Sequence, residues 1–446
     1  MDAIVTDGLN SNFMIQPSLH SSSSFALTGL FVLALLVAFG VQLWLSSRQI
    51  RHVAQFRSVV PPAFTKNISL SAHQKAADYT IVKMRFGLLE LAVSSAVVLG
   101  WTVLGGLSFL DQKLVDLLGS GMGQKIALLA AFFSISSLME IPFAIYRTFV
   151  IEDHFGFNKM SIKQWLIDLL KSSLVSMLIG LPLVALLLWL MRETGQWWWL
   201  WTWGAWISFS LMLLLVYPTL IAPIFNKFKP LEDEELESHV TALMQRCDFS
   251  ARGLFVMDGS TRSAHANAYF TGFGTAKRVV FYDTLLAKLS VNEVTAVLAH
   301  ELGHYKHNHI LKRIAFLFFN SFLGLALLGY LTSQVWFYTG LGSQPRMDSS
   351  NEAIAVLLFL LVIPTFSFFI TPLTTSISRK HEFEADEYAL RQTCGGDLAS
   401  ALLKMYGDNA STLTPDPVYA RFHYSHPPAS ERLARLSFKP SIRTHS

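Results

Sequence analysis

The chain has few cysteines, little charge and no basic N-terminal start, and each shortage excludes a class of protein. Its 446 residues include only two cysteines, Cys247 and Cys394, so we expect no disulfide framework. Charged residues make up 15% of the chain and the formal net charge is +4, without the basic patch that nucleic-acid binding requires. Residues Met1 to Ser24 are polar and lack lysine and arginine, which predicts that no signal peptide is cleaved.

Long apolar runs take the place of charge. Hydrophobic residues make up 52% of the chain and the mean hydropathy is +0.40, which argues against a soluble globular enzyme. Seven runs approach the roughly 20 residues that a helix needs to cross a bilayer. They are Phe25 to Leu45, Phe86 to Leu110, Ile126 to Tyr146, Leu174 to Leu190, Leu200 to Ile221, Ile314 to Leu331 and Ala353 to Ile370. The sequence therefore predicts a membrane α-helical fold with seven transmembrane helices.

Basic residues in alternate loops predict the orientation of these spans. The loops after the first and third spans are rich in lysine and arginine, whereas the alternate loops, after the second, fourth and sixth spans, contain mainly Lys113, Arg192 and Arg346. The positive-inside rule then sets the N-terminus outside and the C-terminus in the cytosol. The tryptophan cluster at residues 197–203 is typical of an outer interfacial belt.

The pentapeptide from His300 to His304, His-Glu-Leu-Gly-His, carries the most specific chemical signal. On a helix, its two imidazoles lie four residues apart on one face and can bind zinc, while Glu301 can take a proton from a metal-bound water. Upstream, Arg278 to Tyr282 predicts a β-strand, and Ser290 with Glu293 has the spacing of a capping box that opens a helix. This context indicates a zinc peptidase rather than two histidines used only in packing.

Two further histidines follow the motif closely. His307 and His309 do not fit the extended spacing of the metzincins, which places Gly at position 307 and His at position 310. We interpret both as bystanders.

A catalytic zinc usually has three protein ligands and a water, so a third donor is expected further along the chain. The best candidate is Glu382, in a charged run with helical character, where Asp386 shares its face four residues on and can fix an imidazole. Spacing alone does not choose between Glu382, Glu384 and Glu387, and a solvated charged helix face is the alternative interpretation.

The spans divide the chain into four regions. We expect a membrane region with five helices at 1–221, a cytosolic α/β lobe with the zinc helix at 222–313, a transmembrane hairpin at 314–377 and a cytosolic C-terminal part at 378–446. The hairpin would bring Glu382 back to the side of the histidines. Glu90 and Glu140 lie inside apolar spans, where a carboxylate is costly unless it faces protein or water. They indicate a hydrated interior or a buried hydrogen bond between helices, and we assign them no catalytic role.

With these motifs in place, the chain resembles the type I CAAX prenyl endopeptidases (the CAAX prenyl protease 1 family), which are integral-membrane zinc proteases. The resemblance rests on ordered blocks over most of the sequence and is therefore highly specific. The blocks are Thr148 to Lys159, Ile221 to Phe228, Asn267 to Phe270, His300 to His304, Glu382 to Asp386, and His423 to Pro428 with Glu431, Arg432 and Leu433.

The resemblance implies a ligand set and an architecture. It assigns the third zinc ligand to Glu382 and the supporting role to Asp386, so Glu384 and Glu387 drop out. It also implies one Zn²⁺ per chain and seven helices that enclose a large water-filled chamber. A gluzincin-like α/β zinc-metalloprotease domain would cap this chamber on the cytosolic side.

The resemblance also implies how substrate would be handled. His426, with Arg432 six residues on, corresponds to the candidate donor to the oxyanion. The segment Asn267, Ala268 and Tyr269 is similar to an edge strand to which a peptide substrate adds as an extra strand.

The expected function is that of a monomeric zinc-dependent endopeptidase in the bilayer, acting on peptides or prenylated protein C-termini. We expect a bacterial inner-membrane protein with general proteolysis or quality control as its role, or an ER protein if the source is eukaryotic. Two other classes are a seven-helix transporter, suggested by Glu90 and Glu140, and an inactive scaffold with a closed structural zinc site.

Overall fold

The computed structural model describes residues 17–271, 277–346 and 351–437. Long helices form the membrane part and fall into two groups along the chain. The first group is α1 (Pro17–Gln55), α2 (Leu70–Trp101), α3 (Gly106–Leu118), α4 (Met122–Tyr146), α5 (Ile162–Glu193) and α6 (Trp198–Val216). Helices α4 and α6 continue into π-helical turns at Arg147–Glu152 and Tyr217–Ile221.

All seven apolar runs are helical, which confirms the predicted membrane α-helical fold. Six helices are long and apolar enough to cross a membrane, and the count is seven when the bent pair α2 and α3 is taken as one span. The second predicted run, Phe86 to Leu110, contains this bend of 51°. The chain turns at Gly105, whose φ of +80° is a conformation that favours glycine.

The membrane helices are packed unevenly against one another. Only 6% of the most apolar stretch of α11 (His309–Leu331) is buried within the protein, and the same holds for Gly195–Phe225, whereas 44% of the most apolar stretch of Glu352–Gln392 is buried. A buried cluster that includes Phe31, Leu128 and Leu357 joins several of these helices. The helices thus form a packed core over part of their length, and the rest of their apolar surface faces away from protein.

An ion-pair network explains the two carboxylates in apolar spans. Arg147, just beyond α4, donates to Glu90 on α2 and lies 3.4 Å from Glu140. The side chains of Arg147 and Glu90 are 43% and 28% exposed, so the network borders open space. The ion pairs with Arg147 and the exposure of these side chains together offset the free-energy cost of placing two carboxylates in apolar spans.

The α/β lobe contains a sheet of four short strands in the order β1-β2-β4-β3. These are β1 (Phe228–Pro230), β2 (Leu254–Met257), β3 (Ala268–Thr271) and β4 (Arg278–Tyr282). Strands β2 and β4 are parallel, while the two outer pairs are antiparallel, which leaves β3 as an edge. The lobe also contains α7 (Ala222–Phe225), α8 (Glu234–Arg246), α9 (Asp283–Leu286) and α10 (Val291–Lys306).

The buried strand β4 builds the core of the lobe, with Val279, Val280 and Phe281 all buried. Val279 and Phe281 are almost fully buried and pack in one cluster with Val294 and Leu298 of α10. Side chains on one face of a strand recur every second residue, so this pattern pins the register of β4 under α10. The core thereby fixes the position of the helix that contains His300 and His304.

A second group of helices carries the chain through the membrane and back to the lobe. After α11 come α12 (Val335–Gly340), α13 (Glu352–Ser367), α14 (Thr371–Gln392), α15 (Gly395–Asp408), α16 (Pro417–His423) and α17 (Ala429–Ser437). A single 3-10 turn at Phe368–Ile370 joins α13 to α14, so the returning span leads directly into the helix that contains Glu382. The boundary expected at 377/378 falls inside α14.

Candidate metal centre

The histidine motif lies on α10, whose start is fixed by its cap. Ser290 Oγ accepts from the backbone N–H of Glu293, and the Glu293 carboxylate accepts from the Ser290 N–H at 2.7 Å. This confirms the capping box predicted from the sequence. Glu293 also accepts hydrogen bonds from Ser400 and Lys404 of α15, which ties the cap to the C-terminal part.

Three potential ligands converge where α10 meets α14. Nε2 of His300 lies 3.4 Å from Oε2 of Glu382, and Nε2 of His304 lies 3.3 Å from Oε1 of the same carboxylate. One ligand atom from each of the three residues lies within 4.8 Å of the others. The two histidines and Glu382, which the sequence separates by about 80 positions, therefore form one cluster.

The donor set fits a zinc ion. Glu382 is only 6% exposed, yet its Oε2 has no hydrogen-bond partner among the described residues. Burying an unsatisfied carboxylate oxygen is costly, and a cation between the imidazoles and this oxygen removes the cost. Two nitrogens and one carboxylate are the ligands of many catalytic zinc sites.

Asp386 and Arg432 fix the orientation of His300 by contacts on the Nδ1 side of its ring. Nδ1 of His300 lies 2.8 Å from Asp386, and Arg432 donates to both carboxylate oxygens of Asp386. Burial alone would lower the pKa of His300, but the negative carboxylates of Asp386 and Glu382, which face its two ring nitrogens, outweigh it and raise this pKa to about 9. A cation on Nε2 must therefore displace a proton, while Nδ1–H stays bonded to Asp386.

A second support chain holds His304 and corrects the interpretation of His309 as a bystander. Nδ1 of His304 lies 3.0 Å from Nδ1 of His309, whose Nε2 lies 2.9 Å from Glu384. Both ligand histidines thus present Nε2 to Glu382 and are held through Nδ1. Glu384 lies outside the ligand cluster, as the resemblance implied, but it anchors this chain. His307 stacks on His309 without a hydrogen bond to it.

One local feature could have pointed to the role of His309 in supporting His304, which is its position at the first residue of α11, directly after the turn that ends α10. Asn308 has a left-handed φ of +55° and reverses the chain between α10 and α11. The reversal brings the His309 ring back onto His304, a contact that helical spacing does not predict.

Glu301 and His426 face the cluster from different elements. Glu301 follows His300 on α10, is partly exposed, and makes no hydrogen bond or ion pair with the residues that the structure describes. His426, in the loop before α17, has Nε2 3.3 Å from Oε1 of Glu382 and a side chain that is 64% exposed. Both groups are therefore available to a substrate.

Arg432 is placed differently from His426. Its guanidinium is 5% exposed and is committed to Asp386, with Nη2 3.4 Å from Nδ1 of His300. Its Nη1 also lies 3.8 Å from Oε2 of Glu382, so this side chain contacts Asp386 and both His300 and Glu382 from the buried side.

The segment Asn267, Ala268 and Tyr269 lies at the edge of the sheet. The carbonyl of Asn267 accepts from the Tyr282 N–H at 3.0 Å, and β3 continues the antiparallel pairing with β4. The other edge of β3 pairs with no described strand. The Asn267 side chain accepts from the backbone N–H of Ala268 at 2.9 Å and covers part of this edge.

A cavity of about 620 Å³ adjoins His426 on the side of the membrane helices. It is lined by side chains from several elements, including Tyr79, Lys83, His265, Tyr406, Tyr424 and His426. Space large enough for several substrate side chains therefore lies next to His426, whose Nε2 is 3.3 Å from Glu382.

The chain is similar to known proteins over nearly its whole length. A family model described as CAAX prenyl protease N-terminal, five membrane helices, matches residues 49–227, and that of peptidase family M48 matches residues 230–439. CAAX prenyl protease 1 of Saccharomyces cerevisiae is 32% identical over 424 residues, 90% of this chain and 93% of the yeast protein. The Arabidopsis thaliana CAAX prenyl protease 1 homolog is 32% identical over 389 residues, 84% of this chain and 90% of the plant protein.

The likeness extends to three dimensions. The crystal structure of S. mikatae Ste24p, 30% identical in sequence, matches with a TM-score of 0.87 and covers 92% of this chain and 99% of that chain. The similarity therefore includes both the membrane helices and the lobe that holds the ligand cluster.

Proposed function

Because the chain belongs to peptidase family M48, together with the CAAX prenyl protease 1 relatives, we propose that it hydrolyses peptides with one zinc ion bound by His300, His304 and Glu382. The protein is a multi-pass membrane metalloendopeptidase related to enzymes of CAAX processing. The observation that carries the zinc assignment is the buried carboxylate of Glu382, whose Oε2 has no hydrogen-bond partner among the described residues and whose two oxygens lie 3.4 Å and 3.3 Å from Nε2 of His300 and of His304.

Glu301 acts as the general base. Zinc, when bound, supplies Lewis acidity that polarises the scissile carbonyl and acidifies water. The Glu301 carboxylate accepts the proton of the attacking water and then passes it to the departing amide nitrogen. Its freedom from hydrogen bonds with described residues leaves both oxygens available for these two transfers.

His426 donates a hydrogen bond to the carbonyl oxygen as negative charge builds on it. Its Nε2 lies beside the ligand cluster and its ring is accessible, which suits a donor that meets charge developing in the transition state. Arg432 acts as a positioning residue through Asp386, because its buried guanidinium faces that carboxylate and not the open side of the site.

The peptide binds as an added strand along β3. Asn267, Ala268 and Tyr269 offer the free edge of the sheet, and main-chain pairing there would align the scissile bond independently of most side chains. The cavity of about 620 Å³ next to His426 then receives the substrate side chains.

The substrate class that we propose is the C-terminal segment of prenylated proteins. The support is likeness to CAAX prenyl protease 1 proteins over 84% or more of this chain, which includes the membrane helices as well as the metal centre. Whole-length similarity of this kind does not favour prenyl-independent quality control or transport. We further propose that the chain is monomeric and works at the cytosolic face, on the support of the basic loops after the first and third spans.

The decisive experiment separates zinc binding from cleavage. Purified zinc-loaded protein is incubated with a prenylated tail peptide and the same peptide without the lipid, and products are read by mass spectrometry. We expect cleavage of the prenylated peptide, and Glu301→Gln should abolish it while one zinc per chain is retained. Glu387→Gln, which removes an exposed carboxylate paired with Arg391, is the matched control and should cleave normally. Cleavage by Glu301→Gln would refute the proposed mechanism.

A further inference from the structure

A second group of potential metal ligands lies behind His304. One ligand atom each from His309, His381 and Glu384 lies within 4.8 Å of the others, which is the same criterion that the main cluster meets. The rings of His309 and His381 are stacked, with centroids 3.9 Å apart and an interplanar angle of 13°. Two imidazoles and a carboxylate again form the donor set that suits zinc and similar divalent ions. Because the lone pairs of parallel rings do not converge, one of the two rings has to turn for both to bind the same ion.

Two helices bring these residues together. His309 begins α11 after the reversal at Asn308, and His381 and Glu384 lie three residues apart on α14 and therefore share a face. This face of α14 differs from the face that presents Glu382 to the main cluster. A single helix thus offers ligands to both groups.

The second group can be reached without passing through the substrate cleft. The His309 side chain is 2% exposed, but that of Glu384 is 31% exposed and lines a cavity of about 740 Å³ between α14 and α17. Of the three residues, Glu384 is the one that lines this cavity, and Nε2 of His309 lies 2.9 Å from its carboxylate.

Nearby positive charge makes this group a weaker site than the main one. Lys380 Nζ lies 3.8 Å from Oε1 of Glu384, and Lys312 and Arg313 lie close enough to His381 to act on it electrostatically. The Lys380 side chain is 76% exposed and can move away when a cation binds. The main cluster should therefore fill first, and the second group only at higher metal concentration.

Occupation of the second group would disturb His304. Nδ1 of His304 lies 3.0 Å from Nδ1 of His309, and His309 is held in turn by the 2.9 Å contact between its Nε2 and Glu384. A cation bound by His309, His381 and Glu384 would replace that contact and turn the stacked rings toward the ion, so that His309 would leave its position against His304.

We propose that His309, His381 and Glu384 form a second zinc-class site whose occupation inhibits the peptidase by removing the support of His304. Only the inhibitory consequence rests on the proposed function, because binding of the second ion is measured without any substrate.

The first test is metal stoichiometry. Full-length protein in detergent is stripped with a chelator and dialysed against increasing Zn²⁺, and bound metal is counted by mass spectrometry. We expect two ions per chain at saturation, and one in His381→Phe, whose aromatic ring keeps the stack on His309 but offers no ligand. His307→Phe is the matched control and should bind two. A single ion in the unmodified protein, or two in His381→Phe, would overturn the proposal.

A further pair of variants separates this inference from the proposed function. Glu301→Gln should still bind two ions although it cleaves nothing, so a failure of the peptidase assignment leaves the metal count unaffected. If His381→Phe does not fold, Glu384→Gln replaces it in the metal count, and retention of two ions by that variant contradicts the proposal.

The second test is the dependence of activity on zinc. Cleavage by the unmodified protein should rise with the first equivalent and fall in excess zinc. His381→Phe should keep the rise, and the fall should move to at least about tenfold higher zinc concentration, the scale on which loss of one supporting group changes metal affinity. Two bound ions without any fall in activity would refute the inhibitory role.

Discussion

Gly303 of α10 lies directly against the backbone of Ala385 on α14. A Cβ atom added at Gly303 would stand 2.8 Å from the Ala385 Cα and 3.0 Å from its carbonyl oxygen. Real Cβ atoms do not approach backbone atoms so closely, and a backbone cannot move aside as a side chain can. The position between the two histidines therefore sets the distance between the helix with His300 and His304 and the helix with Glu382.

We expect Gly303→Ala to separate the two helices and to weaken metal binding. A shift of a few tenths of an ångström moves Glu382 away from both imidazoles, and zinc sites tolerate little deviation in ligand distance. Metal affinity and cleavage should each fall at least about tenfold, by analogy with the loss of a group that orients a ligand. Equilibrium dialysis against zinc and a peptide cleavage assay measure the two effects.

Gly407→Ala provides the control for this change. Gly407 lies on α15 of the same part of the protein, and a Cβ there would meet no atom within 4 Å. Alanine also favours a helix over glycine, so this variant should bind zinc and cleave normally. Equal losses of zinc affinity and cleavage in both variants would show that the contact with Ala385 does not determine the geometry of the metal centre.

Asp386→Asn should weaken the metal centre and destabilise the fold. The carboxylate accepts from both His300 and the buried Arg432, and the amide would leave the guanidinium without its partner. Removing one member of a buried ion pair costs about 3 kcal/mol, and loss of support for a ligand histidine lowers metal affinity about 10 to 100-fold. Thermal unfolding and zinc dialysis measure the two losses.

A second substitution separates the cause of the lower stability from the cause of the lower zinc affinity. Arg432→Met added to Asp386→Asn removes the unpaired charge, so stability should recover while zinc affinity stays low. Recovery of zinc affinity in the double variant would mean that Asp386 acts only by neutralising Arg432.

Local sequence signals predicted the parts of the site that depend on local structure. The strand at Arg278 to Tyr282 follows from a short run of β-branched and aromatic residues, the cap at Ser290 follows from hydrogen bonding within four residues, and both are present. The seven apolar runs are helical because an apolar chain in a bilayer must satisfy its backbone internally. The bend at Gly105 was not predicted, because it depends on one backbone conformation inside an apolar run.

Contacts across long separations could not be obtained from spacing. The choice of Glu382 over Glu384 and Glu387 needed the resemblance, because all three carboxylates lie on one charged helix. The role of His309 escaped both the spacing and the resemblance. It depends on the reversal at Asn308 and on the packing of α14, and neither leaves a periodic signal in the sequence.

His309→Phe should lower zinc affinity without unfolding the lobe. Phenylalanine keeps the buried volume and the stack on His381 but cannot accept the Nδ1–H of His304. The expected loss is about tenfold, the lower end of what such supporting groups contribute. His307→Phe, which changes a ring that stacks on His309 but makes no hydrogen bond to it, should leave affinity unchanged. If the two variants bind zinc equally well, the hydrogen bond to His304 contributes nothing.

The proposed strand addition at β3 has a definite register. Because the Asn267 carbonyl bonds to the Tyr282 N–H, residues 267 and 269 point their backbone polar groups at β4. Those of Ala268 and Phe270 then face the free edge. A bound peptide would pair with these two residues, and the Asn267 side chain must release the Ala268 N–H as it does so.

Pairing of this kind uses every second N–H of the peptide, so N-methylation should inhibit in an alternating pattern. A methyl group on a paired nitrogen removes one hydrogen bond and blocks the approach of the strand, which should lower kcat/KM at least about fivefold, since a single hydrogen bond contributes about 1 kcal/mol. Methylation of the adjacent nitrogen, which points away from β3, should have little effect. A series of tail peptides methylated one position at a time, assayed at equal concentration, measures this pattern. A uniform loss along the series would mean that the substrate does not bind along Ala268 and Phe270 as an added strand.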